Sequence, residues 1–320
     1  MRTSAWIRLV VWSVALVALV AIFVLALCYP GLFPGQFFRF VTGGSISYED
    51  SELYTVGGGA VQAYGIKEIE INWTAGNVRI EAAEGREITM EEQGAETARD
   101  EMRYLLRDGK LIIQYSAPRR GFDFWRAGEK QLIVKVPQTL VAVGLEKFTV
   151  NAGSAWVYVD GVGAQDTKIS FVSGHVELAD MQCGVLSLDG VSGAVSGMEL
   201  YADTLGVDTV SGGVTLGGVF GQVAFDGVSG GMELDCNIRC PDSIVAESVS
   251  GDLLLRLPEN QGFTVRHDSV SGNFQCEFPV LGDKDEAVYN DGGAEIRLST
   301  ISGAIVLEKI PQQEFMSPLY

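Results

Sequence analysis

The sequence predicts an all-β protein: a right-handed β-solenoid of about eight coils, with repeats of about 20 residues, preceded by an N-terminal transmembrane helix. Two observations predict the solenoid. An apolar residue followed by Ser-Gly and then by alternating apolar residues recurs through the C-terminal half of the chain. The glycines are 19, 19, 18, 21, 21 and 31 residues apart, at Gly174, Gly193, Gly212, Gly230, Gly251, Gly272 and Gly303. One such unit is too short to bury its own apolar face, so the coils are expected to stack.

Each repeat is interpreted as two short strands joined at a corner. Apolar side chains lie two residues before the glycine and two and four residues after it, which predicts one half-buried strand. The row two residues before the glycine, predicted to face the core, consists of Val172, Val191, Val210, Val228, Val249, Val270 and Ile301. The other strand has apolar residues seven and five positions before the glycine, and the change of parity between the two strands predicts the corner. The glycine provides a positive φ or a close backbone approach.

The repeat frame extends towards the N-terminus and is interrupted there. Residues 69–80 match its apolar positions with Gly76 as the glycine, except that Thr74 stands in the valine row. Residues 81–140 are predicted to add strands that flank the first coils, including a hairpin turn at Asp108-Gly109 and a strand over 132–137. The solenoid domain is therefore predicted to cover residues 52–310.

The C-terminal end of the solenoid is predicted to follow the order of the sequence. A loop over residues 282–293 separates the Gly272 coil from the final Gly303 coil in this prediction. Residues 311–320 are predicted to be a cap or tail at the open end, because a bare terminal coil would expose a sheet edge.

Residues 9–28 form an apolar run with a single polar residue, long enough to cross a bilayer as a helix. Arg2 and Arg8 precede this run, so the positive-inside rule predicts a cytoplasmic segment over residues 1–8 and an extracytoplasmic C-terminal domain. Residues 29–51, rich in Pro, Gly and aromatic residues, are predicted to be a tether. A single-pass cell-membrane protein is thus expected; a cleaved signal peptide and a lipoprotein are the alternatives.

The chain is strongly acidic, with a formal net charge of −18. Residues 1–44 carry three arginines and no acidic residue, so the predicted domain is more acidic than the whole chain. Such a surface argues against nucleic acid and anionic lipid as partners.

An N-terminal apolar anchor, a strand ending in Val136-Pro137 and serial Val-Ser-Gly-x-Val-x-Leu repeats together resemble the bacterial "putative adhesin" family of β-strand repeat proteins, also called the toastrack domain. The resemblance covers roughly residues 50–310. It implies a β-solenoid at the cell envelope, in a family often encoded with envelope-stress or phage-shock-type membrane proteins. It provides no established catalytic residues.

Acidic residues lie four positions before five of the glycines. They are expected to form a ladder, about 4.8 Å apart along one corner, of Asp189, Asp208, Asp226, Glu247 and Asp268. Carboxylates this close repel one another, which favours a weak site for Ca²⁺ or another divalent cation. The alternative is a row of solvated turn residues.

No nucleophilic active site is predicted. The serines before the glycines are equivalent, whereas a nucleophile requires one serine activated by a base. His175 and His267 are the two histidines of the chain, and neither belongs to a recognisable motif. The protein is therefore predicted not to be an enzyme and to bind no cofactor. A solenoid carbohydrate-active enzyme is the least favoured alternative: Asp160 and Asp203 could supply carboxylates, but the outward face lacks an aromatic row.

Residues 119–126 form the one basic, aromatic segment of the acidic domain. We expect this segment to contact lipid headgroups or a membrane partner through Arg119, Arg120, Phe122, Phe124, Trp125 and Arg126. A partly packed loop is the alternative.

Four cysteines follow the predicted membrane span. Cys276 is expected to be a buried free thiol, and Cys236 and Cys240 could close a small loop. Their spacing is not that of a zinc site.

These observations predict a non-enzymatic, membrane-anchored envelope protein that acts as a scaffold or sensor through surface contacts with membrane or wall partners. The expected partners are the bilayer, through residues 9–28, and envelope-stress membrane proteins. The alternative is a cell-surface adhesin that binds a glycan or another cell.

Overall fold

The computed structural model describes residues 48–118, 129–282 and 285–310, and these residues are mostly β-strand. The predicted all-β class is confirmed. No helix in the described ranges is long and apolar enough to cross a bilayer, and the predicted span 9–28 lies outside them. In chain order the elements are a 3₁₀ turn (Ser51–Leu53), β1 (Thr55–Val56), β2 (Gly59–Gln62), β3 (Glu68–Ala83), β4 (Glu87–Gln93), β5 (Arg103–Arg107), β6 (Lys110–Gln114), β7 (Lys130–Pro137), α1 (Gln138–Val143), β8 (Leu145–Asp160), β9 (Ala164–Ser211), β10 (Val214–Ser229), β11 (Met232–Asp235), β12 (Ser243–Ser250), β13 (Leu253–Leu257), β14 (Gly262–Ser269), β15 (Phe274–Cys276), β16 (Leu281–Gly282), β17 (Glu286–Asn290), β18 (Ala294–Ser302) and β19 (Ile305–Lys309).

The repeats stack as parallel strands in register. β8 pairs with the first part of β9, for example Val150 with Ile169, and β10 pairs with both β9 and β12. β9 is 48 residues long and winds past itself, so that Gly174, Gly193 and Gly212 become neighbours. The predicted stacking of the repeats is therefore present.

Rows of inward side chains form the core of the stack. The residues seven and five positions before each glycine, and two and four positions after it, are mostly apolar and buried; in the Gly212 repeat they are Leu205, Val207, Val214 and Leu216. The buried alternation continues to the residue three positions before the glycine, where Phe171, Thr209 and Thr300 are buried.

The prediction that the valine row faces the core is wrong. Because the alternation continues to three positions before the glycine, the residue two positions before it faces solvent. Val210 is 42% exposed, Val249 36% and Val270 74%. The parity changes at the Ser-Gly pair itself, so this pair forms the corner.

Four of the seven repeat glycines have both a positive φ and a close backbone approach, whereas Gly251, Gly272 and Gly303 have the close approach alone. Gly174, Gly193, Gly212 and Gly230 have φ values of +124°, +143°, +136° and +157°. A Cβ added to Gly212 would lie 1.8 Å from the carbonyl oxygen of Gly193. At these four corners the stacked backbones therefore approach too closely for a side chain, in a conformation that favours glycine. The corner of β8 differs, because Ala155 lies in register between Gly76 and Gly174.

The C-terminal repeats do not stack in sequence order. The last repeat (β18 and β19) lies between the Gly251 repeat (β12 and β13) and the Gly272 repeat (β14 and β15). The prediction of a plain loop over 282–293 before a final coil is wrong, because this segment contains β17, which pairs antiparallel with β14 and closes that end. The predicted tail 311–320 lies outside the described residues.

The N-terminal end has the same arrangement. β3 carries the first repeat, yet it lies between β8 on one side and β6 with β7 on the other. β4 pairs antiparallel with β7, and β5 pairs antiparallel with β6. Asp108 and Gly109 between β5 and β6 both have positive φ, so the predicted hairpin is present.

Candidate interaction surface

One outer wall of the stack carries two outward columns, which we name the acid–valine face. It consists of the residues four and two positions before four glycines: Asp189, Asp208, Asp226 and Glu247 with Val191, Val210, Val228 and Val249. Parallel pairing aligns Asp208 with Asp226 and Asp226 with Glu247. Paired strands are about 4.8 Å apart, so each column forms a continuous ladder.

Asp268 does not continue the acidic column as predicted. Because the last repeat is inserted before the Gly272 repeat, Ser299 pairs with Glu247 on one side and with Asp268 on the other. The acidic ladder is therefore interrupted by a neutral residue after Glu247.

Negative charge accumulates in the middle of the ladder. Desolvation, together with the carboxylates of Asp189 and Asp226, raises the pKa of Asp208, and Lys168 opposes this shift. Lys168 Nζ lies 2.6 Å from Asp189 Oδ2. Among the described residues, no three His, Cys, Asp or Glu side chains are placed to hold a metal ion. A divalent-cation site stays a prediction, and the ladder keeps an excess of negative charge.

The wall is flat beside the acidic column. The next outward column contains Ser187, Gly206 and Ala224, and then Val245 beside Glu247. A Cβ added to Gly206 would meet no atom within 4 Å, so the fold does not require glycine there. Small side chains leave the neighbouring carboxylates and valines accessible across the sheet.

The basic, aromatic segment 119–126 lies outside the described residues. The contact of Arg119, Arg120, Phe122, Phe124, Trp125 and Arg126 with a membrane or a membrane partner stays a prediction.

The histidine and serine side chains make one contact that the sequence did not indicate. His175 Nε2 lies 3.2 Å from Ser196 Oγ, and Ser196 is not one of the serines that precede a repeat glycine. In the part of the chain that the structure describes, no carboxylate hydrogen-bonds the His175 ring, whereas an activated serine needs a base that a third group orients. Ser173, which precedes Gly174, has its hydroxyl 2.9 Å from that of its register partner Ser154 on β8.

The cysteines of the described ranges all carry free thiols, so the possible Cys236–Cys240 loop is not closed. Cys236 is buried, and Cys240 and Cys276 are half-buried against the core. Burial raises the pKa of each of these thiols, that of Cys240 to about 11. A raised pKa makes a thiol a poor nucleophile at neutral pH.

A second outward surface surrounds Trp156, and the sequence did not reveal it. We name it the aromatic–polar grid: Asn77, Arg79 and Glu81 on β3, Trp156, Tyr158 and Asp160 on β8, and His175 and Glu177 on β9. These residues come from three segments that the parallel register brings together. The sequence predicted no aromatic row on the outward face, yet register brings the rings of Trp156, Tyr158 and His175 together on this wall.

The stacked repeats with their Ser-Gly corners match a known family. The family model described as Toastrack DUF4097 matches residues 66–308. The chain belongs to the toastrack family. Both the acid–valine face and the aromatic–polar grid lie within the matched toastrack region. No curated protein matches the sequence.

Three solved structures resemble this toastrack chain, each over 80% of its length. A "putative cell adhesion protein" from Clostridium sporogenes is 11% identical, with a TM-score of 0.26 and 100% of its chain covered. A "putative lipid binding protein" from Parabacteroides distasonis is 12% identical, with a TM-score of 0.47 and 97% covered. A "putative adhesin" from Bacteroides fragilis is 15% identical, with a TM-score of 0.42 and 97% covered. Similarity at this level supports no argument about function.

Proposed function

We propose that this toastrack protein is a non-enzymatic scaffold or sensor of the bacterial cell envelope. In this proposal residues 9–28 anchor it as a single-pass membrane protein, and the right-handed solenoid is extracytoplasmic. In this proposal a signal passes to the cytoplasm through the membrane helix of a partner protein.

The acid–valine face is the observation that supports this proposal. Its valines lie on the solvent side of the sheet, where they contribute less to the core than the inward rows. A contiguous apolar column on a surface is typical of a contact site, and the adjoining carboxylates favour basic side chains in the partner. The partner therefore presents apolar and basic side chains together, and we expect it among the envelope-stress membrane proteins.

A crosslinking pull-down of the full-length protein from its own membranes tests the proposal. It is compared with a chain lacking residues 1–28 and with the double variant Val210→Thr/Val228→Thr, which keeps side-chain shape and makes the valine column polar. We expect a membrane protein to be recovered with the unmodified chain. It should be lost with the chain that lacks residues 1–28 and also with the double valine variant.

The control is Val143→Thr, because Val143 is an 86% exposed valine on α1, away from the acid–valine face. Retention of the partner by the double variant would exclude the acid–valine face as the contact. Recovery of wall polymer or of host surface material by the chain without its anchor would favour adhesion and contradict the sensor.

A further inference from the structure

We propose that the aromatic–polar grid is a binding site for a neutral or amino saccharide. The site goes beyond the proposed function, because it uses a different wall of the stack and a different class of ligand. Trp156 provides the stacking surface, and Asn77, Arg79, Asp160 and Glu177 provide the polar contacts.

Strand alternation and register place these side chains on one outward surface. Along β8, Trp156 and Tyr158 point outward, while Ala155 and Val157 are buried. Across the sheet, Trp156 pairs with Asn77 on β3 and with His175 on β9. Neighbouring side chains are therefore about 4.8 Å apart across strands and about 6.8 Å apart along a strand, which is the scale of one sugar ring.

Contacts within the grid hold it in place before any ligand binds. The His175 ring meets the Trp156 indole edge-to-face, with centroids 5.6 Å apart and planes at 84°. The Arg79 guanidinium lies 4.5 Å from the centre of the Tyr158 ring, and the Tyr158 hydroxyl donates to Asp160 Oδ2 at 3.2 Å. A surface that is already ordered loses little conformational entropy on binding.

The fold does not need an indole at this position. Trp156 is 53% exposed, whereas Ala194, Gly213 and Ala304 occupy the same column in other repeats. A Cβ added to Gly213 would meet no atom within 4 Å, whereas one added to Gly231, in the next repeat, would lie 2.7 Å from the carbonyl oxygen of Asp252, so the fold accepts small residues in this column and does not demand a large one. A large aromatic side chain exposed where the fold accepts alanine points to a ligand.

The chemistry of the grid matches that of a saccharide. A sugar ring presents C–H groups on its face and hydroxyls at its rim, and the electron-rich face of an indole attracts C–H groups. The amide of Asn77, the guanidinium of Arg79 and the carboxylates of Asp160 and Glu177 each carry two polar atoms that can pair with adjacent hydroxyls. The grid contains three carboxylates, those of Glu81, Asp160 and Glu177, and the single positive charge of Arg79. Its net charge is therefore negative, which disfavours sulfated or carboxylated sugars.

Saturation-transfer NMR and titration calorimetry on the full-length protein test the proposal, in a polyoxyethylene detergent that carries neither a sugar nor an ammonium group. The probes are hexamers of glucose, of N-acetylglucosamine and of glucosamine, with heparin and tetramethylammonium as charged comparisons. We expect at least one hexamer to bind with a Kd of about 1 mM. Trp156→Ala should weaken binding by about tenfold or more, while Trp156→Phe retains most of it.

Two controls separate the site from general effects. Tyr201→Ala removes a 45% exposed aromatic side chain outside the grid and should bind like the unmodified chain. Val210→Thr/Val228→Thr should also bind normally, which distinguishes this site from the acid–valine face. The proposal is overturned if no hexamer binds at about 10 mM, if Trp156→Ala binds as tightly as the unmodified chain, or if binding is confined to heparin or tetramethylammonium.

Discussion

At the scale of single residues, adjacent glycines in the same repeat have different roles. Gly212 has a φ of +136°, and an added Cβ would lie 1.8 Å from a carbonyl oxygen of the neighbouring corner. Gly213 has neither constraint, because an added Cβ would enter open space. The repeat therefore requires the first glycine and tolerates replacement of the second.

We expect Gly212→Ala to lower the free energy of unfolding by about 3 kcal/mol, since the substitution combines backbone strain with a steric clash. Gly213→Ala is the matched control and should be neutral or stabilise the fold by about 0.5 kcal/mol, because it restricts the unfolded chain. Urea unfolding of the two variants measures the difference. Equal loss in both would show that the corner does not depend on close backbone approach.

Asp208 gives the acid–valine face a defined pH dependence. A folded-state pKa above the unfolded value means that the folded chain binds more protons between the two values, so stability falls as pH rises through that range. The substitution Asp208→Asn removes the destabilisation that comes from ionising this carboxyl in the folded protein. We expect a gain of about 0.5 kcal/mol at about pH 7 and no gain at about pH 3, measured by urea unfolding at each pH. Asp203→Asn, outside the ladder, is the control, and an equal gain there would indicate a general charge effect.

At the scale of elements, a buried ion pair joins the outer strands of the N-terminal end. The Lys130 ammonium on β7 contacts the Glu92 carboxylate on β4 and the carbonyl oxygens of Asp100 and Tyr115, and it lies 3.9 Å from the centre of the Tyr115 ring. Both side chains of the pair are at least 94% buried. Removal of one partner therefore leaves an uncompensated charge away from water.

Glu92→Gln is expected to destabilise the fold by about 3 kcal/mol, although the side chain keeps its size. The comparison is Glu146→Gln at the exposed pair of Lys67 and Glu146, 2.6 Å apart, where a loss below about 1 kcal/mol is expected. Thermal and urea unfolding measure both variants. A loss of similar size in both would mean that Lys130 is stabilised by its carbonyl and aromatic neighbours without Glu92.

Local signals in the sequence predicted elements better than they predicted orientation. The hairpin at Asp108-Gly109 depends on adjacent residues, so the sequence was sufficient to predict it. The sequence predicts the wrong side of the sheet for the valine row. Apolar residues occupy both odd-numbered and even-numbered positions before the glycine, and only the location of the corner determines which of these two sets faces the core. The grid around Trp156 was missed because its members are up to 100 residues apart in sequence and are joined only by register.

At the scale of the whole toastrack domain, each end of the parallel stack is closed by antiparallel strands. β17 covers β14 at one end, and β4 and β5 cover β7 and β6 at the other. The sequence period predicts that coils stack but not their spatial order, because every coil offers the same apolar rows to its neighbours. Antiparallel pairing at the ends leaves fewer unpaired edges of the kind that promote aggregation.

The inserted position of the last repeat makes a specific prediction about truncation. Deletion of residues 294–310 removes β18 and β19, which pair with β12 and β13 on one side and with β14 and β15 on the other. We expect β14 and β15 to lose their protection from hydrogen exchange, although both remain in the chain, since their parallel partners are gone. Strands in β9, far from the cut, should keep their protection and serve as the internal control. Protection retained in β14 would contradict the inserted order.

The same insertion limits how proteins of this kind can grow during evolution. A repeat duplicated after residue 310 would follow β19, whose two neighbouring edges are already occupied by β13 and β15. A repeat duplicated before β3 would face the same obstacle, since β3 is also paired on both sides. New repeats can therefore enter through internal duplication, within the uniform stretch 164–257, and variation in length among descendants should be concentrated there while both ends stay constant.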